Sequence, residues 1–292
     1  MKTMLVLSPI ALFAVTAIAV PAESPPESTT KSKSTAEKKT GYAPVNGLKM
    51  YYEISGEGKP AVYIHPAWSH AGAISGLTQN RQWIAVDLQG HGRTADIDRP
   101  MTIEQHADDI AALLKYLQIK QADFFGDSFG GTIALMMAVR HPELVRRVVP
   151  YAGFFGEVKG DNPGRLTADS DAVRLKREDY EKVAPDPRQW PTLFAKVVAM
   201  KFKGFSPEEL KAIKAPVLIA SGDHDFIPVE RYAEWSRMIP NAQLAVIPAA
   251  SHFVLMSEPE KLLPTLAAFL DATISKVPFG TPKTGYYPGV TR

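Results

Sequence analysis

The 292-residue sequence has no cysteine. That absence excludes disulfide staples and the N-terminal thiol on which a bacterial lipoprotein anchor is built. A dominant charge is missing too. Thirty-three Lys and Arg against 31 Asp and Glu leave a formal net charge of +2, with both signs scattered, so there is no long basic stripe of the kind that grips a phosphate backbone and nucleic acid is not an expected partner. Long apolar runs are absent beyond the first 20 residues, and 45% hydrophobic with 22% charged residues are the proportions of a globular protein. No metal-ligand spacing and no phosphate loop occur. Gly90-His91-Gly92 lacks the third glycine of a dinucleotide fingerprint, so no cofactor is implied. There is no internal repeat, and the length demands no more than one large unit.

What is present begins with an export signal. Lys2 precedes an almost unbroken apolar run from Met4 to Val20, at the short end of the ~17–25 residues a spanning helix needs. Small residues place the cut after Ala19 or, preferably, Ala22. Residues 1–22 therefore read as a signal peptide in preference to an uncleaved anchor, and the expected location is secreted or periplasmic, with no stable membrane insertion once the signal is removed. Residues 23–40 are Ser, Thr, Pro, Glu and Lys without a large apolar side chain, the composition of a flexible linker.

Strand and helix patterns alternate from there. Asn46-Gly47 is a type I′ turn signal before Leu48 to Ile54, which predicts a hairpin from about Tyr42. The runs Ala61–Ile64, Trp83–Val86, Ala122–Phe125, Val145–Val149, Val217–Ala220 and Leu244–Ile247 are short, apolar and often β-branched, as buried parallel strands are. One intervening helix opens on Thr102 and Gln105, spaced as a capping box, and sets Ile103, Ala107, Ile110, Ala111 and Leu114 on one face, with His106 expected at the surface. Another follows Gly130 and ends at His141-Pro142, and a last one runs from about Glu258 to Ala272. The expected fold is α/β: a mostly parallel central sheet with helices on both faces, over residues 41–275. Between 156 and 214 the alternation lapses into helical pieces and prolines, which predicts a small helical cap packed by Trp190, Leu193, Phe194, Val197 and Phe202. Residues 276–292 read as a surface tail.

The chemistry centres on Gly126-Asp127-Ser128-Phe129-Gly130, between a strand and a helix. A serine on so sharp a turn is held exposed, and flanking glycines avoid collisions in the bend. A serine hydroxyl is a weak nucleophile, so it requires a base and a group that orients the base. Both are available in loops after strands: Asp223-His224-Asp225 after one and His252 after the next. His224 stands beside the acid in the same loop, whereas a base must reach in from a separate one, which favours His252. Loops at the carboxyl ends of parallel strands converge on one edge of the sheet.

With these motifs the sequence resembles the α/β-hydrolase superfamily from about Tyr42 to Thr273, including Asp87-Leu88-Gln89-Gly90-His91-Gly92-Arg93, which is similar to that family's loop after an early strand. The family's triad runs serine, acid, histidine in chain order. The resemblance implies Ser128 as nucleophile, His252 as general base and the second acid, Asp225, as its partner. It also implies two oxyanion amides, those of Phe129 and of Ala67 in His65-Pro66-Ala67-Trp68. Here Pro66 replaces the usual glycine, which restrains the loop but leaves the Ala67 N–H in place.

Trp68, Phe154 and Phe253 are expected to wall a substrate pocket, with Phe129, Phe155 and Phe226 as further apolar candidates. The implied activity is hydrolysis of a small carboxylic ester through an acyl-enzyme. Lactonase, carbon–carbon hydrolase, cofactor-free haloperoxidase and acyltransferase chemistry share the triad, and a ligand-binding protein with a vestigial triad is the alternative outside catalysis. Aspartate at the nucleophile position marks epoxide hydrolases and dehalogenases, and Ser128 argues against both. The sequence sets neither the substrate nor an oligomeric state.

Overall fold

The computed structural model describes residues 38–73, 77, 80–157 and 167–272. The expected signal peptide, nearly all of the linker and the C-terminal tail lie outside the described residues. Strand β1 (Lys39–Val45) starts inside the stretch expected to be linker and pairs with β2 (Leu48–Ser55) in an antiparallel hairpin. Asn46 and Gly47 turn it with φ of 47° and 84°, the doubly left-handed backbone of a type I′ turn.

Six further strands follow: β3 (Lys59–Ile64), β4 (Arg81–Val86), β5 (Ala122–Asp127), β6 (Val145–Tyr151), β7 (Val217–His224) and β8 (Ala242–Ser251). The order across the sheet is β1-β2-β4-β3-β5-β6-β7-β8. Every pairing from β4 to β8 is parallel, and β2 alone runs against the rest.

Both faces of the sheet are covered, which explains why the strands are apolar on both sides. Adjacent residues enter opposite layers: Phe124 and Val148 pack with helices α1 (Ile103–Tyr116) and α2 (Phe129–Arg140), while Phe125 and Val149 pack with α7 (Val254–Ser257) and α8 (Pro259–Asp271). Each fully buried phenylalanine contributes about 1.5–3 kcal/mol. At the amino edge of the sheet Asp123 accepts from Arg81 and Arg146, and Arg81 also donates to the Leu270 carbonyl at 2.6 Å. Arg81 thus satisfies one of the last carbonyls of α8 and complements its dipole. Between β6 and β7 lie α3 (Asp171–Val183), α4 (Trp190–Ala199) and α5 (Pro207–Ala212), and α6 (Val229–Met238) joins β7 to β8. Ser206 and Glu209 close a complete capping box on α5.

Three expectations need correction. The Thr102 hydroxyl does accept from the Gln105 amide, but the Gln105 side chain turns to Asp109, so the box at α1 is only half made. Phe202 packs in the main core and not in the cap cluster, which consists of Met101, Val173, Tyr180, Trp190 and Leu193. His106 is 1% exposed, not at the surface. It lies edge-on to Phe129, 5.4 Å between centroids, and neither ring nitrogen has a partner among the described residues. A neutral imidazole filling an apolar gap leaves no periodicity signal that separates it from a surface one.

Burial pulls the pKa of His106 down to about 3 and that of His91 to about 4, from 6.5. The unfolded chain therefore binds protons that the fold refuses, and stability falls as pH drops below about 6.5. His106→Leu should flatten that slope by about 1.4 kcal/mol per pH unit between roughly pH 6 and 4. Denaturant unfolding across that range measures it, and an unchanged slope would mean that His106 is protonated in place.

Candidate active site

The strands that end at the carboxyl edge bring the predicted residues together. Ile64 pairs with Gly126, Asp127 with Tyr151, and His224 with Ser251, so the loops that follow β3, β5, β6, β7 and β8 leave the sheet at one level. Ser128 has φ 53° and ψ −112°, a left-handed conformation costly for a residue with a side chain. It persists because its surroundings fix it. Its amide donates to the Tyr151 carbonyl at 2.8 Å, and its carbonyl accepts from Thr132 at 3.1 Å. A Cβ on Gly126 would strike the Gly130 carbonyl, and one on Gly130 would strike that of Ile64. The first turn of α2 therefore presses against the end of β3.

Ser128 Oγ lies 2.9 Å from His252 Nε2, and His252 Nδ1 is 3.1 Å from both oxygens of Asp225. An ionised carboxylate accepts only, so Nδ1 carries the proton and Nε2 is left to accept from the serine. Asp225 is fully buried and also accepts from the Ile227 amide at 3.0 Å. Ser128 stays partly exposed, open to a substrate, while its partners are shielded from water.

Asp223 has a different task. Its carboxylate accepts the amides of Ala249 and Ala250 at 3.0 Å each, which holds its pKa well below the ordinary carboxylate value and clasps the end of β8, just before His252, to the end of β7. The Gly-Asp-x-Asp segment thus divides one acid for the loop from one for the ring. Sequence reasoning named both acids but had no signal for this second role.

At the loop after β3, His65 Nδ1 donates to the Pro66 carbonyl at 2.7 Å, and its Nε2 accepts from the Leu88 amide at 3.2 Å. The Ser69 amide donates to the same carbonyl at 3.3 Å. In a trans peptide C=O and N–H point in opposite directions, so fixing the Pro66 carbonyl turns the Ala67 N–H the other way. That amide has no acceptor among the described residues. Phe129, as the first residue of α2, has no acceptor within its helix. Pro66 is accommodated without disturbing this arrangement.

The aromatic candidates separate. Phe226 lies tilted against the His252 ring at 4.1 Å, Phe253 stands edge-on at 5.2 Å and Phe154 lies at 6.4 Å. Phe226 and Phe253 are exposed and form an apolar rim. Trp68, at φ 59°, stacks on Phe194 of α4 at 5.3 Å, which places it under the cap. The Phe129 ring packs among His91 and His106, and Phe155 is core against Trp235, so neither side chain lines the site.

One ionisable group here escaped sequence reading. Asp127 is 5% exposed, and burial pushes its carboxyl from 3.8 up to about 6, against the attraction of His252 and Lys176. The fold therefore keeps a proton that the unfolded chain releases, and stability is lost as pH rises between about 4 and 6. Asp127→Asn removes the charge and keeps the shape. It should be more stable than wild type at pH 8, by up to about 3 kcal/mol, with the gain gone below about pH 4. Paired denaturation curves at the two pH values test this, and equal stabilities at pH 8 would contradict it.

Comparison with known proteins agrees with this fold. A family model described as "Alpha/beta hydrolase family" matches residues 61–265. The chain is 28% identical over 262 residues to 2-(acetamidomethylene)succinate hydrolase of Mesorhizobium japonicum, covering 78% of this chain and 94% of that protein. It is 26% identical over 265 residues to 2-hydroxymuconate semialdehyde hydrolase of Pseudomonas putida, covering 77% and 91%. Among solved structures it resembles an enol-lactonase from Burkholderia xenovorans LB400 with a TM-score of 0.63 and 24% identity, over 80% of this chain and 100% of that one. A family match over more than half of the chain, on a sheet of this order, settles the membership: the chain belongs to the alpha/beta hydrolase family.

Proposed function

We propose that the protein hydrolyses small carboxylic esters through an acyl-enzyme on Ser128. The observation that carries this is the unbroken chain from Ser128 Oγ to His252 to Asp225, at 2.9 and 3.1 Å. His252 Nε2 takes the hydroxyl proton as Oγ attacks the carbonyl carbon. The oxyanion that forms meets the amides of Phe129 and Ala67, each donor being worth about 2.7–4 kcal/mol in such a site. His252 then returns the proton to the leaving alcohol, and water repeats the sequence on the acyl-enzyme with His252 again as base. Asp225 remains ionised and holds the imidazolium. Phe154, Phe226 and Phe253 offer apolar surface beside the histidine. A lactone, as a cyclic ester, would follow the same steps. In the same reading, the apolar segment from Met4 to Val20 directs export.

Ser128→Ala should lower kcat/KM on a short-chain aryl ester by about 10³-fold or more, and Asp225→Asn should lower kcat by about 10⁴-fold because it misdirects the imidazole tautomer. A phosphonate probe should label the wild type once, at Ser128. Undiminished turnover by Ser128→Ala would refute the assignment, and an unlabelled serine would favour a binding protein. Esters of graded chain length, with lactones alongside, then identify the preferred substrate.

A further inference from the structure

Helix α3 bridges the two loops that complete the site. His70, three residues after Ala67, pairs through Nε2 with Asp179 at 3.0 Å. The Gly72 amide donates to His70 Nδ1, so the Nε2 proton faces that carboxylate. On the other side Lys176 Nζ lies 3.6 Å from the sulfur of Met256, one helical turn beyond His252. Val173 and Tyr180 of the same helix are buried in the cap core. Lys176 falls between them at i+3 and i+7 spacing, on the face that α3 turns to the body.

That position carries an unanswered charge. A thioether is a weak acceptor, and an ammonium has three donors to satisfy. The neighbouring acids are engaged elsewhere: Glu178 with Arg174, Glu181 with Arg177 and Asp179 with His70. Among the described residues no carboxylate forms an ion pair with Lys176. Burial pulls its pKa below that of a free lysine, and among the described residues the charges that oppose this are Asp127, the residue before Ser128, and Asp179. A partly buried lysine without a carboxylate is costly unless an anion arrives to meet it.

We propose that Lys176 is a specificity-determining residue that receives an anionic group of the substrate, a carboxylate set apart from the scissile carbonyl by an apolar spacer. Its contact with Met256 and its charge interaction with Asp127 put the cation close to the turn that carries Ser128, and Phe226 and Phe253 supply apolar surface for the spacer. Substrates would be half-esters or lactones that carry a free carboxylate. The inference deepens the ester-hydrolase reading and rests on it for the reaction, though not for the binding.

The test compares monomethyl esters of succinic, adipic and suberic acids with neutral methyl esters of equal length. For the best-fitting length, wild type should show the higher kcat/KM on the charged ester. Lys176→Met should reduce the charged-to-neutral ratio by about tenfold or more, mainly through KM, and Lys176→Arg should keep most of it. A ratio that is the same in wild type and Lys176→Met overturns the proposal even if both esters are hydrolysed. Calorimetry on Ser128→Ala with the free dicarboxylates separates binding from chemistry. Binding that weakens about tenfold when Lys176→Met is added supports the anion site even if no ester is turned over, in which case the ester reading alone fails. Absent binding, or binding indifferent to Lys176, overturns the site.

Discussion

The arrangement depends on one steric constraint, the contact between the first turn of α2 and the carboxyl end of β3. It exists because positions 126 and 130 carry no side chain that would push the two backbones apart. Once α2 sits there, the left-handed backbone at Ser128 is held on both sides by hydrogen bonds to Tyr151 and Thr132. The amide of Phe129 is left without a helical acceptor, beside the loop that carries Ala67. The strained turn at Ser128 and the free amide of Phe129 thus follow from a single close approach, and relaxing it would move both together.

The second half of the site is built on the other strands and needs its own anchor. His252 lies just beyond the end of β8; the two amides donated to Asp223 fasten that strand end to β7. Asp225 then has only to orient a ring whose backbone is already placed. Burial of the pair works in the same direction, because an imidazolium formed beside a dry carboxylate is stabilised more than one in water. The Phe226 ring, tilted by 33° with its centroid 4.1 Å from that of His252, lies against the imidazole.

Much of this was legible in the sequence because it depends on patterns with a local cause. The strands declared themselves as short apolar runs, the hairpin as Asn46-Gly47, and the nucleophile turn as two glycines around a serine between a strand and a helix. The second acid of Gly-Asp-x-Asp was distinguishable only through the resemblance to a family, since both aspartates leave the same strand. Features that depend on what lies across space were not legible. His106 sits where its helix pattern also permits a surface residue, Phe155 and Phe129 look like loop aromatics until their neighbours are known, and the clasp by Asp223 joins groups 26 and 27 residues apart. Lys176 reads as one more charge on a polar helix. Only the packing of α3 shows that it falls on the stripe between Val173 and Tyr180.

The charges around Ser128 are coupled through this packing. Asp127 is driven toward its neutral form by burial, yet His252 and Lys176 both favour its ionised form. An imidazolium formed during turnover, or a lysine left without a counterion, would therefore draw Asp127 toward ionisation. An anion bound at Lys176 would do the opposite, since it neutralises one of the two attractions and leaves the carboxyl easier to keep protonated. Asp127 is thus coupled to the charges of His252 and Lys176 through space. The position between Gly126 and Ser128 is in this sense electrostatic as well as steric: a neutral side chain would hold the turn equally well but would not sense the charge of its neighbours.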